Sequence, residues 1–564
     1  MPPLNTFTRS CLALAIGQAV AAPAQAATIV VNSNLDVDLA DNVCTLREAI
    51  TSIQNSSTAG TGCSYTGLFG IDDKVEFDPG LSIAPILLSQ ATPLTIDSQQ
   101  TNNFTINGLG QNLLTIDGNG NSGVFSISNS TISINDITIT SGKGVGGVAA
   151  YGIIVGGGVA AVDSNVNLVN SAVSGNRANR GGGIWASGST ISLTNSTVAG
   201  NTSSGKGGGG IYAVSSVVSL NNSTVSENTP CSGVPLNCDF SRGGGIASFA
   251  SSVNLTNSTI SGHLAVYGGG IYGENRSTIS LINSTVSGNT AFSGGGIYLG
   301  RRFYSGRSSL MLTNSTVSGN SASGDGGGIY ARKFSSVGLT NSTVSGNSAS
   351  SGGGIFAEFS TMTLTNSTVS NNLARVYGGG ISTVGGSGIF DRSIVSLTNS
   401  TLSGNSAGDH GGGIRIDKTR IYMYNNIVAG NFDSGSAAEM SGTASSAFNS
   451  SGNLFGDSSN SNASAFGFPF PGYGNVTATS NGTLPTSLTS IINPLASNGG
   501  PTKTHALPGG SPAINSGDNG LCPAKDQRGE SRSDGECDIG AYELVGESCF
   551  VVKAANGNVV TFCL

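Results

Sequence analysis

The segment NSTVSGN, with variants, recurs with its first Asn at 170, 195, 222, 257, 283, 314, 341, 366, 399 and 425. A triplet of glycines followed by Ile or Val recurs in step, ending at Gly158, Gly183, Gly210, Gly245, Gly270, Gly296, Gly328, Gly354, Gly380 and Gly413. Ten units are visible, of 25 to 27 residues where nothing is inserted and 31 to 35 at three places. Self-similarity at so short a period restricts a chain to few architectures. Apolar residues alternate inside each unit: Val337 and Leu339 precede Asn341 and Val344 follows it, and Ile279, Leu281 and Val286 hold the same places around Asn283. Period two means strand. Ile297 and Ile329, after their glycines, supply a third strand. Three short strands per unit form one coil of a parallel β-helix, stacked ~4.8 Å above the last. A propeller blade needs ~40 residues and four strands, and Ser/Thr/Gly-rich units cannot form the outer helix of a leucine-rich repeat. The expected fold is all-β, a right-handed parallel β-helix over 100–431, the hand following from the rule for parallel crossovers. The regular NST asparagines are expected to form a ladder of side-chain amides at a tight turn, although most are formally glycosylation sequons.

Composition agrees with a solenoid. Glycine contributes 86 of 564 residues and charged residues only 10%, too few for ordinary helical or α/β domains, while clustered glycines exclude collagen. Hydrophobic residues at 37% argue against disorder. A formal charge of −7 leaves no general basic face for phosphate backbones, so no nucleic acid is expected as a partner.

Residues 1–26 read as a secretory signal, with Arg9, an apolar run from Cys11 to Ala22 and a small-x-small site at Ala24-Gln25-Ala26. Eight cysteines follow, in four close pairs expected to be disulfides: Cys44 with Cys63, Cys231 with Cys238, Cys522 with Cys537, and Cys549 with Cys563. An even count suits an oxidising, extracellular compartment. None has zinc or redox spacing, and no later stretch reaches the ~20 apolar residues of a membrane helix.

An open β-helix end must be covered. Thr45 and Glu48 form a capping box, and Leu46, Ala49, Ile50 and Ile53 share one helical face, so a helical cap is expected within 27–99. The run Cys44-Thr45-Leu46-Arg47-Glu48-Ala49-Ile50 resembles the CSLREA domain of secreted bacterial repeat proteins. NPLASNGGPTKTHALPGGSPAINSG, followed by DQRG and CDIGAYE within 491–545, resembles the choice-of-anchor Q domain. The GGGI repeats are similar to polymorphic outer-membrane protein repeats, with GGGI for that family's GGAI. These resemblances imply a pectin-lyase-like β-helix at a bacterial surface and no particular activity. Between them lie a Gly/Ser/Asn-rich continuation at 432–490 and, last, a cysteine-closed tail at 546–564 expected to turn at Asn556-Gly557.

Chemistry is sparse. His263, His410 and His505 are the only histidines, in unrelated contexts, so neither a Ser-His-Asp triad, a metal site nor a cofactor is expected. The residue after each GGGI should point away from the core: Trp185, Tyr212, Ala247, Tyr272, Tyr298, Tyr330, Phe356, Ser382 and Arg415. An exposed aromatic row would offer sugar rings a stacking platform; a self-stabilising stack covered by loops would produce the same pattern. Two insertions follow this strand, one carrying Arg301, Arg302, Phe303, Tyr304 and Arg307, the other Phe390, Asp391 and Arg392. With Tyr330, Arg332 and Phe356 between them they frame a groove suited to acidic glycans or surface partners. Glu358 and Asp417 occupy one outward column two coils apart, ~9.5 Å, at the edge of the inverting-glycosidase range, so a polysaccharide lyase or glycoside hydrolase is the rival reading. A structural surface component is the third.

Overall fold

A computed structural model describes residues 25–563 apart from 40, 71, 98–102, 147–152, 231–240, 301–305, 387–392, 435–437, 444–446, 468–473, 533–534, 546–548 and 554–558. Three sheets of 16, 15 and 13 strands run along the described chain. Successive coils pair in parallel and in register, as in Ile297↔Ile329, Leu281↔Leu312 and Val286↔Val317. The protein is thus an all-β parallel solenoid of about thirteen turns, counted on the 13-stranded sheet. Ten of these carry the glycine triplet. The others are Leu94–Asp97, Phe125–Ser128 and Met440–Gly442.

One coil shows how sequence dictates path. The chain runs through Ile329–Arg332, Ser336–Thr340 and Thr343–Ser345, with a left-handed residue, Asn341 at φ 52°, between the last two strands. Asn tolerates that region because its short side chain relieves the usual clash. The glycine triplet is needed for close approach: a Cβ on Gly327 would lie 2.4 Å from the Gly353 carbonyl oxygen of the next coil. Inside, equivalent aliphatics form columns such as Ile271, Ile297, Ile329 and Ile355, each 0% exposed.

The expected asparagine ladder belongs to a different residue. Asn195 donates to Asn170 at 3.3 Å and Asn425 to Asn399 at 3.3 Å, but several of these turn asparagines are exposed. The continuous, buried ladder uses the second Asn of NSTVSGN. Asn176, Asn201 and Asn228 are linked amide to amide, and so are Asn289, Asn320, Asn347, Asn372, Asn405 and Asn431. His263 fills the one gap. Its Nδ1 accepts the Asn228 backbone N–H at 3.0 Å, and its Nε2 lies 3.0 Å from the Val225 carbonyl, where Asn228 itself reaches Val198. These contacts fit a neutral ring protonated on Nε2, and burial pulls its pKa down to about 4. At the far end Asn431 donates to Glu439, a fully buried carboxyl whose pKa burial raises.

The N-terminal end is covered by a helix. The helix α1, Leu46–Asn55, has the expected Thr45/Glu48 capping box, buries Leu46, Ala49, Ile50 and Ile53, and packs on Thr28–Val31, Asp73–Phe77 and Leu94–Asp97. Cys44 and Cys63 are bonded beside it. The sheets extend beyond 100–431, from Thr28–Val31 to Val476–Thr477. Residues from Thr502 to Ala541 dock on the outside of the 15-stranded sheet: Thr343 donates to the Lys503 carbonyl at 2.7 Å, Thr368 to Gln527 at 2.7 Å, and Asn399 to the Asp538 carbonyl at 3.2 Å. Cys522 and Cys537 are bonded within this region. Cys549 and Cys563 stand directly opposite in an antiparallel pair, while Cys231 and Cys238 lie outside the described residues, as does most of the expected signal segment. Among the described residues no helix is long and apolar enough to cross a membrane.

Candidate functional site

The strand after each glycine triplet alternates strictly, so its first and third residues enter the core and its second and fourth face outward. Register aligns the second residues as Tyr272↔Tyr298↔Tyr330↔Phe356 and the fourth as Phe249↔Glu274 and Arg332↔Glu358. The outward direction was legible, but exposure was not. Tyr272, Tyr298, Tyr330 and Phe356 are 4%, 6%, 7% and 8% exposed. Their rings stack at 5.1, 5.0 and 5.2 Å between centroids, within 17° of parallel. A sugar stacks on a ring face. Here the faces between these rings are occupied by neighbouring rings, and Phe249, Tyr267 and Val384 pack on the cluster. The exposed aromatic platform is therefore corrected to a covered aromatic spine.

Charges line this spine. Tyr330 donates to Glu358 at 2.9 Å, and Arg332 pairs with the same carboxylate oxygen at 2.9 Å. Tyr272 donates to Glu274 at 2.9 Å, with Arg242 3.6 Å from that carboxylate and 5.4 Å above the Tyr272 ring. Burial and the adjacent carboxylates push the Tyr272 and Tyr330 phenols upward, so they remain protonated donors. Further along, Arg415 lies 4.3 Å from the Tyr377 ring centroid and 3.8 Å from Asp417. The Arg332 side chain stays 41% exposed, so the spine presents a guanidinium to solvent.

The structure brings Tyr298, Tyr330, Phe356, Arg332 and Glu358 together. Glu358 and Asp417 do share a column, separated by Val384, but each has a cationic partner of its own. Arg307 is exposed at the end of its insertion. Arg301, Arg302, Phe303, Tyr304, Phe390, Asp391 and Arg392 lie outside the described residues. Arg242, Tyr267 and Tyr377 were missed. All three occupy the position just before a glycine triplet, where Arg242↔Tyr267 and Tyr377↔His410 pair between coils; aligning that column would have found them.

Among the described residues no cluster of His, Cys, Asp or Glu could hold a metal. The family model for the Chlamydia polymorphic membrane protein (Chlamydia_PMP) repeat matches residues 314–332, which span the turn Asn314, the ladder Asn320, the triplet ending at Gly328 and the strand carrying Tyr330 and Arg332. No curated protein matches the chain.

Proposed function

We propose that this chain is a secreted bacterial surface protein that binds glycans or surface partners along the seam after the glycine triplets. The repeat match, with the solenoid fold, points to a bacterial surface or outer-membrane protein. The CSLREA-like and anchor-Q-like segments favour the same location. The observation carrying the binding reading is the Arg332 guanidinium, held 41% exposed beside a rigid aromatic spine in a chain that is only 10% charged. In this reading Arg332 and Arg307, with Arg301, Arg302 and Tyr304 of the insertion, contact an acidic ligand. Tyr298, Tyr330 and Phe356 hold the seam stiff, which lowers the ordering cost of binding.

The rival reading, a lyase or glycoside hydrolase, draws support from the shared column of Glu358 and Asp417, yet Glu358 is engaged by both Tyr330 and Arg332. A panel of acidic and neutral polysaccharides, scored for retention and for product release, separates the two. Binding predicts retention of acidic members, no product, and at least tenfold weaker retention by Arg332→Ala. Product release abolished by Glu358→Gln or Asp417→Asn would replace binding by catalysis. Neither retention nor product would leave a structural surface component.

A further inference from the structure

We infer that a separate corner of the solenoid, at Lys143 and Arg177, is a binding pocket for a carboxylated sugar unit. A cavity of about 660 Å³ opens there, lined among others by Ser141, Lys143, Ile154, Arg177, Asn179 and Ser204. That is within the ~300–1,000 Å³ of small-molecule sites. Four successive coils line it, through Gly120, Lys143, Arg177 and Ser204. The Arg177 N–H bonds the Gly142 carbonyl at 2.7 Å, and Arg177 pairs in register with Thr202, so Lys143 and Arg177 sit on adjacent coils, ~4.8 Å apart along the axis.

Both cations are exposed, and among the described residues neither has a carboxylate within ion-pair distance. The next cation, Arg180, is committed to the Tyr212 ring at 5.5 Å. Asp117, three residues from the pocket's Gly120, uses an oxygen to accept the Asn119 N–H at 2.7 Å. Two unneutralised cations on neighbouring coils repel each other, and in a chain of net charge −7 the shortage of a counter-charge is local. An anion between them removes that cost. The guanidinium fork matches a planar carboxylate in bidentate fashion, with the ammonium as a point charge beside it.

The rest of the lining suits the polyol part of such a ligand. Asn179 is fixed between the Ile154 N–H, which it accepts at 3.1 Å, and the Ser204 hydroxyl, to which it donates at 3.0 Å. That hydroxyl donates its own proton to the Ala178 carbonyl at 3.3 Å, and its remaining lone pair can accept from a ligand hydroxyl. Ile154, 39% exposed, offers an apolar surface to ring C–H groups. The pocket is separated from Arg332 by the coils beginning at Ile211, Ile246, Ile271 and Ile297, and it does not rest on the binding reading of the seam.

Calorimetry on the full chain with digalacturonate, galactobiose and galactose 6-sulfate tests this. Digalacturonate should bind, and galactobiose should not. Arg177→Ala and Lys143→Ala should each weaken digalacturonate binding at least tenfold, Arg177→Lys should weaken it less, and Lys74→Ala, at an exposed lysine outside both sites, should leave it unchanged. Both pocket residues are exposed, so thermal unfolding of these variants should match the parent. The pocket is refuted if digalacturonate fails to bind, if Arg177→Ala binds it normally, or if galactobiose binds equally well. Tighter binding of the sulfate ester would overturn the carboxylate assignment. Loss on Arg332→Ala with no effect of Arg177→Ala would refute the pocket and leave the seam reading standing.

Discussion

Thr259, Thr285 and Thr316 occupy the same register position of the 15-stranded sheet as Thr343, Thr368 and Thr401, in nearly identical sequence. The first three are partly exposed; the last three are 1%, 0% and 1% exposed. The difference comes from the segment docked on the later coils, where Gln527 bonds Thr343 and Thr368 and the Ala541 N–H bonds Thr401. A hydroxyl that meets water in one coil has a fixed protein partner a few coils later. The repeat thus supplies a uniform polar surface, and a non-repeating segment turns part of it into an interface.

Undocking that segment would break the contrast most strongly. Arg532 and Glu543 form an ion pair whose side chains are 3% and 2% exposed, and removing one partner of a buried pair costs about 3–5 kcal/mol. Arg532→Ala is expected to raise hydrogen exchange across Thr502–Ala541 and at Thr343, Thr368 and Thr401, with Thr259 and Thr285 unchanged. A uniform rise along the solenoid would show that the two regions are one cooperative unit.

Acid sharpens the comparison because each region buries one histidine. His263 serves the uncovered coils, with a folded pKa of about 4 against an ordinary 6.5. The unfolded chain therefore binds a proton that the folded ring refuses, so this stability is whole above pH 6.5 and falls by about 3 kcal/mol as pH drops to 4. His505, also depressed by burial, accepts from Ser370 at 2.9 Å under the docked segment. His263→Asn, matching its ladder neighbours, should remove the acid loss at the uncovered coils and leave that of the docked segment. Hydrogen exchange at pH 7 and pH 5 reads both; an unchanged pH profile in the variant would refute the assignment.

The smallest effect separates the two asparagines of one unit. Asn201 is buried and bonded to Asn228 and Val173, so Asn201→Ala should cost about 2–3 kcal/mol by stranding buried partners. Asn195 is an exposed turn residue at φ 50°, and Asn195→Ala should cost about 1 kcal/mol for the left-handed backbone. Chemical denaturation of both variants checks the order, and equal losses would return the ladder to the turn position.

These cases show what the sequence could disclose. The ten triplets placed ten coils, but Leu94–Asp97, Phe125–Ser128 and Met440–Gly442 keep the alternation without the glycines and escaped the count. Both asparagines of NSTVSGN share the period, and the ladder was expected at the first, because a shared period does not say which side chain turns inward. His263 standing in the second column was the available clue, since a buried ring can copy an amide's donor and acceptor. Alternation likewise gave the direction of Tyr298, Tyr330 and Phe356, whereas their burial follows from ring-to-ring closure at 5.0 and 5.2 Å, a property of several coils together. Docking of Gln527 on Thr343 and Thr368 left no trace in either segment, because Thr serves water and Gln equally well.

Glu439 carries a consequence for the size of such molecules. From Asn320 to Asn405 every rung of the buried ladder accepts an amide proton from the coil before it and donates one to the coil after it, so each has the same input and the same output. Copy number can therefore change anywhere among these rungs without altering the bonding of the survivors, each unit changing reach by ~4.8 Å. Glu439 accepts from Asn431 and hands on no amide proton. It ends this ladder: units gained or lost upstream of it alter how far the rod extends and leave the Asn431–Glu439 bond as it is.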